Sequence, residues 1–211
     1  MKLHSQAPPA LPLAGDEYDS AYQNSLMKTL RLYFNTLFNF TKALTSSVGT
    51  GYLETPHGAF SSAVNQTAAA ADTPTLVALE VTDYANEMRA TSSKIYVDVA
   101  GRYNYQFSIQ FENPTAQYVE VTIWLKKNGT SIPYTASKYA VSYQHGAVNG
   151  YLIAVCNFFI ELAAGDYVEL WWATTNVATV IEAYAAQTVP YAHPGIPSAV
   201  ATLAFVSALK E

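Results

Sequence analysis

The chain has 211 residues, half of them hydrophobic and 13% charged, with a formal net charge of -5 and a single cysteine. That length allows one domain with an extension, and a core that needs no covalent staples. The acidic balance, without clustered Lys and Arg, excludes a nucleic-acid footprint, and one cysteine excludes an internal disulfide. Met1 to Gln6 has no continuous apolar core of the kind a signal peptide needs. No run has the length of a membrane-spanning helix.

Residues 1–15 hold Pro8, Pro9, Pro12 and Gly15, which favours an extended arm because proline fixes φ and lacks an amide proton. Leu3, Leu11 and Leu13 are its candidate docking residues. Residues 16–45 read as a helix, with Asp16, Asp19 and Ser20 available as caps. Leu26, Leu30, Tyr33, Leu37, Phe40 and Leu44 follow alternating spacings of four and three, a short coiled-coil seam. Met27, Leu32, Phe34 and Phe38 lie elsewhere on the circumference, so the helix is apolar nearly all round and suits docking or trimerisation. Residues 46–55 form a hinge. Its Gly49-Thr50-Gly51 is no nucleotide fingerprint, since no strand leads into it.

Residues 56–211 read as one β domain. Gly58–Ser62 is a first short strand, Asn65–Thr75 a loop, Leu76–Val81 a second strand and Ile95–Val99 a third. Tyr103, Tyr105, Phe107, Ile109 and Phe111 alternate with polar residues, the period of a strand with one dry face. Val119–Leu125 repeats the pattern and stops at Asn128-Gly129, a pair that tolerates the positive φ of a tight hairpin. Leu152, Ala154, Cys156, Phe158, Ile160 and Leu162 share one face of a long strand, with Cys156 a small buried hydrophobe. Ala163–Asp166 turns the chain, and Tyr167–Trp172 resumes. Thr179–Tyr184 and Ala199–Val206 complete roughly eight to ten strands, the number expected of a jelly roll. No crossover helix separates them, so the sheets are antiparallel. The expected fold is therefore mainly β: a jelly-roll sandwich preceded by an extended arm and one α-helix.

The order of several motifs resembles the jelly-roll module of tailed-phage virion proteins. They are Gly58–Ser62, Ala100–Ser108, Ile123–Thr130, Cys156–Phe159, Ala164–Trp172 and Pro194–Ser198. This module is similar to the globular heads of complement and tumour-necrosis-factor proteins, which assemble as trimers. The resemblance covers about residues 56–206. It implies a virion component, assembled in the host cytoplasm. A chain with no long shaft suits a trimeric head cement protein whose arm and helix grip the major capsid protein. The alternative is a short fibre or spike among tail or fibre proteins that binds a host glycan, with Tyr134, Tyr139 and Tyr143 in the turn-rich stretch 131–150 as the candidate ligand loop.

Catalytic constellations are missing, and the expectation is a protein that is not an enzyme and carries no cofactor. His4, His57, His145 and His193 are scattered, without the converging ligands of a zinc site. Asp72, Asp83 and Asp98 give no calcium-ligand ring. Glu161 and Glu169 flank a hairpin and read as solvated sheet positions rather than a glycosidase pair. No nucleic acid and no membrane is expected as a partner.

Overall fold

A computed structural model describes residues 9–11, 13, 18–44 and 55–209. The chain divides into two units, residues 1–54 and 55–211. In the first, α1 runs Ser20–Leu44. Asp19 is the cap that is used: its Oδ1 accepts the Ala21 amide at 2.8 Å, satisfying one of the donors left free at a helix start. Of the expected arm, Leu11 and Leu13 are exposed, while Leu3 lies outside the described residues. So does the expected hinge, apart from Thr55.

The second unit is a sandwich of two antiparallel sheets. In chain order its strands are β1 (His57–Ser62), β2 (Gln66–Thr67), β3 (Thr75–Leu76), β4 (Val81–Asn86), β5 (Met88–Thr91), β6 (Lys94–Val97) and β7 (Gly101–Asn113). There follow β8 (Val119–Lys127), β9 (Thr130–Ser131), β10 (Ser137–Val141), β11 (Gly150–Leu162), β12 (Tyr167–Thr174), β13 (Val180–Ile181) and β14 (Ala199–Ser207). Sheet one runs β4-β1-β14-β7-β11, with β13 pairing the far end of β7 and β2 beyond it. Sheet two runs β5-β6-β12-β8-β10, with β3 against β12 and β9 against β8. The chain crosses between sheets at β6-β7-β8 and again at β10-β11-β12-β14. First and last strands lie side by side. That winding is the expected jelly roll.

The alternation of β7 builds the core. Tyr103, Tyr105, Phe107, Ile109 and Phe111 are all buried, facing Val121, Ile123 and Leu125 of β8 and Val168, Leu170 and Trp172 of β12. Phe111 and Trp172 meet at 5.6 Å between ring centroids. Burial pushes the Tyr103 phenol up to about 12, and it donates to the Val99 carbonyl at 2.7 Å. Asn128 and Gly129 take φ of 50° and 80°, as the tight-hairpin reading of that pair requires.

Several expected elements differ. Leu76–Val81 is not one strand. Leu76 ends β3, Val81 opens β4 and residues 77–80 pass between them, yet Val77 and Leu79 are buried. The apolar run reflects burial, and its backbone bonds go elsewhere: the Val77 amide to Leu170, the Leu79 amide to the Ser93 hydroxyl. The stretch 131–150 is not a loop throughout, because it contains β10. Thr179–Tyr184 pairs as a strand at Val180–Ile181 alone, with an isolated bridge at Tyr184.

Candidate functional site

Two surfaces leave apolar side chains in water. The first is on α1. The seam residues Leu26, Leu30, Tyr33 and Phe40 are half-buried and Leu37 is exposed; nothing is described of the Leu44 side chain. Met27, Phe34 and Phe38 are exposed. At 100° per residue they widen the seam into an apolar arc about 160° across, and Leu32 stands on the far side. Tyr33 and Phe34 pack edge to face at 5.8 Å. Thr36 and Thr41 turn their hydroxyls back onto the carbonyls of Leu32 and Leu37, each at 2.9 Å, so these polar residues need nothing from a partner.

The second surface is the outer face of β11. This strand pairs with β7 over its whole length and is the last strand of its sheet. Leu152, Ala154, Cys156, Phe158, Ile160 and Leu162 turn inward as expected, Cys156 being half-buried and its Sγ 4.0 Å from the Ser137 hydroxyl. The outward residues Tyr151, Ile153, Val155 and Phe159 are more than half exposed. From Tyr151 to Phe159 the strip runs about 27 Å at the rise of a strand. Sequence reasoning passed over it. The signal was present, since Tyr151-Leu152-Ile153-Ala154-Val155-Cys156 is a continuous apolar run. A strand with one face in water alternates; this one is apolar on both faces from Tyr151 to Cys156, and Asn157, bonded to Asn104 at 2.8 Å, separates Val155 from Phe159 on the outer side.

The three candidate loop tyrosines do not come together. Tyr134 lies before β10, Tyr139 within it and Tyr143 after it. Tyr139 reaches across the open side of the sandwich and donates its hydroxyl to the Val155 carbonyl at 3.2 Å, a structural task. Tyr143 packs edge to face on Tyr118 at 5.1 Å. Tyr134 follows Pro133 at φ 62°, a position that favours glycine or asparagine, and its ring is fully exposed. It borders a groove of about 420 Å³ that also takes in Ile132, Pro133 and Phe159.

Glu161 and Glu169 do not face each other across a hairpin, because β11 and β12 belong to different sheets. Glu161 is exposed and paired with Arg102 at 2.5 Å. Glu169 is not solvated: it is 4% exposed, lies 3.6 Å from the Lys94 ammonium and accepts the Trp171 indole N–H at 3.4 Å. Asp98 is taken up by Arg89 and Asp83 by the Ser61 hydroxyl. Among the described residues no three His, Cys, Asp or Glu side chains converge on a metal position. No described helix is long and apolar enough to cross a membrane. No protein-family model matches the chain, and no curated protein matches it significantly.

Proposed function

We propose that the chain is a structural component of a bacteriophage virion: a trimeric head cement protein that ties major capsid subunits together. The reading rests on the motif resemblance of residues 56–206, and the observation that carries it is the apolar side chain left in water. A soluble monomer rarely leaves such strips uncovered. In this reading the β11 face, with Ile153, Val155 and Phe159 at its centre, joins copies of the chain. The helix arc, with Leu30, Leu37, Phe34 and Phe38, and the arm residues Leu11 and Leu13 anchor each copy on the capsid. The action is adhesive. Three weak anchors held in one trimer bind as one strong one, because the second and third contacts form at high effective concentration.

Quantitative mass spectrometry of the purified particle tests the location. Copy number comparable to the major capsid protein is the expected result; a count limited to a tail or a vertex overturns the cement reading in favour of a fibre or spike. The surfaces are tested separately. Val155→Glu with Phe159→Glu converts the trimer to monomers in sedimentation, and Leu30→Glu with Leu37→Glu keeps the trimer but releases it from capsids. A helix variant that still binds capsids removes the helix as anchor.

A further inference from the structure

At the Tyr151 end of the β11 strip the surface changes character. Strand β13 is followed by a lobe, residues 184–196, folded back on itself. Tyr184 and Ile196 exchange backbone hydrogen bonds at 3.0 and 2.8 Å, and Gln187 and His193 do so at 3.1 and 3.0 Å. The lobe and the sheet border a shallow, open depression of about 270 Å³ lined by Gln110, Tyr151, Tyr184, Gln187, Tyr191 and His193, with Ile196. We infer that this hollow is a binding site for a neutral saccharide.

The argument begins with what lines it. Tyr151 and Tyr184 stand edge to face, centroids 6.4 Å apart, and Tyr191 leans on His193 at 5.8 Å. Aromatic faces carry a negative potential and favour the weakly positive C–H face of a sugar ring over a flat sandwich partner. The same lining holds two primary amides, Gln110 and Gln187. Each offers donors and an acceptor, the pairing a hydroxyl needs, since it also does both. His193 adds a third polar group. Its Nδ1 lies 2.7 Å from the Pro194 carbonyl, which can only accept, so Nε2 is the ring nitrogen left for a ligand.

Charge then narrows the ligand. No lining residue is an acid, a lysine or an arginine. The carboxylate bonded to a lining residue, Glu112, is occupied: the Tyr184 hydroxyl donates to one oxygen and the Asn149 amide to the other. A sulfated or phosphorylated ligand finds no cation here, and an ammonium ligand finds no free acid. The volume of about 270 Å³ lies just below the range of small-molecule sites, roughly 300–1,000 Å³, which suits a single ring rather than a larger ligand. The site is also largely preformed. Glu112 fixes the Tyr184 ring and the two backbone pairs fix the lobe, so little ordering is left to oppose binding. The lining residues all belong to this chain; Tyr151 also ends the β11 strip, so the test is run at a concentration where the chain is monomeric.

The test is saturation-transfer NMR on the full chain with neutral hexose and N-acetylhexosamine trisaccharides, alongside sialylated and sulfated ones and a proline-rich peptide. The expected result is transfer to the ring C–H protons of at least one neutral glycan, with a Kd on the order of 1 mM. Tyr191→Ala weakens it by about tenfold or more. Tyr191 is 71% exposed, so the variant keeps the parent's melting temperature. Tyr134→Ala, which removes a still more exposed ring that borders a different groove, leaves binding unchanged. Silence across all neutral glycans, preference for the anionic ones or for the peptide, or indifference to Tyr191→Ala overturns the inference.

Discussion

Strands β11 and β12 follow each other in the chain, lie in opposite sheets and both point aromatic residues outward, but their outer faces are finished differently. On β12 every ring has a cation laid across it or beside it. Lys126 Nζ sits 3.6 Å from the Trp171 ring centre and Lys94 Nζ 4.7 Å from that of Tyr167, while Arg89 covers neighbouring Tyr96 at 4.8 Å. Glu169 runs beneath, joining Lys94 to Trp171. The alkyl stems of these side chains shield apolar surface and their heads stay in water. On β11 the register sets Ile153 beside Gln110, Val155 beside Ser108 and Phe159 beside Asn104. These short or neutral neighbours cover nothing. A charged pair appears at Glu161 and Arg102, near the strand's end. One outer face carries cations over its rings, and the other leaves Ile153, Val155 and Phe159 more than half exposed.

The contrast depends on β11 being held flat, and the change expected to do most damage removes that support. Gly150 opens the strand opposite Asn113. A methyl group there would lie 1.8 Å from the Ser142 carbonyl oxygen. That carbonyl has little room to retreat, because buried Asn113 donates to it at 2.9 Å and to the Gln117 carbonyl at 2.8 Å. Gly150→Ala is expected to cost about 3 kcal/mol or more, read as a lower urea midpoint.

Next in size is the support of the finished face. Glu169→Ala leaves the Trp171 indole without its acceptor and removes the partner of Lys94. Its expected cost is about 1–3 kcal/mol. Lys126→Ala uncovers Trp171 at about 0.5–1 kcal/mol. Both are measurable by chemical unfolding, and both expose aromatic surface on sheet two. If the contrast between the faces is real, Lys126→Ala also promotes association through a surface that is inert in the parent.

These supports were unequally visible in the sequence. The inner face of β7 was fully legible, because Tyr103 to Phe111 alternate without a break. The Asn128-Gly129 hairpin was legible because few residue pairs tolerate that backbone. The cation ladder was not. Lys94 and Lys126 are brought over Tyr167 and Trp171 by pairings between strands far apart in the chain, and local periodicity says nothing of those; Arg89 meets Tyr96 across the short β5-β6 hairpin, whose first strand the sequence pattern did not show. The same holds for the hollow at Tyr151, assembled from β7, β11 and the lobe after β13. The outer strip of β11 failed for another reason. Its residues were in view, but an apolar run was read for the face it buries.

The turn joining the two strands carries a pH dependence. Asp166 accepts the Ala163 amide at 2.8 Å and the Asn128 side-chain amide at 2.7 Å, with Lys127 at 3.5 Å. Burial pushes its carboxyl up, but those hydrogen bonds and the lysine charge outweigh burial and hold it below the ordinary value of 3.8. The unfolded chain therefore takes up the proton first as pH falls. The stabilisation is fully present above the unfolded value and is lost as pH drops through the lower folded one. Asp166→Asn is expected to flatten the stability profile below about pH 4 and to lower stability at neutral pH, because the amide has one acceptor oxygen where the carboxylate uses two, for the Ala163 and Asn128 donors.

The smallest effect on the folded chain is expected where the assembly effect is largest. Val155 and Phe159 are 61% and 63% exposed, so Val155→Thr with Phe159→Thr leaves no cavity and buries no new polar group. Exposed substitutions of this kind stay within about ±0.5 kcal/mol. Apparent stability must be measured at a concentration where the parent is monomeric, because an oligomer adds its association energy to every melt. Under that condition the pair melts with the parent. At high concentration the parent's melting point rises and the variant's does not. The matched change on sheet two, Lys126→Ala, behaves in the opposite sense: the monomer weakens. A β11 variant that loses stability as a monomer would mean that its outer face already has a partner within the chain, and the distinction between the two faces would fall.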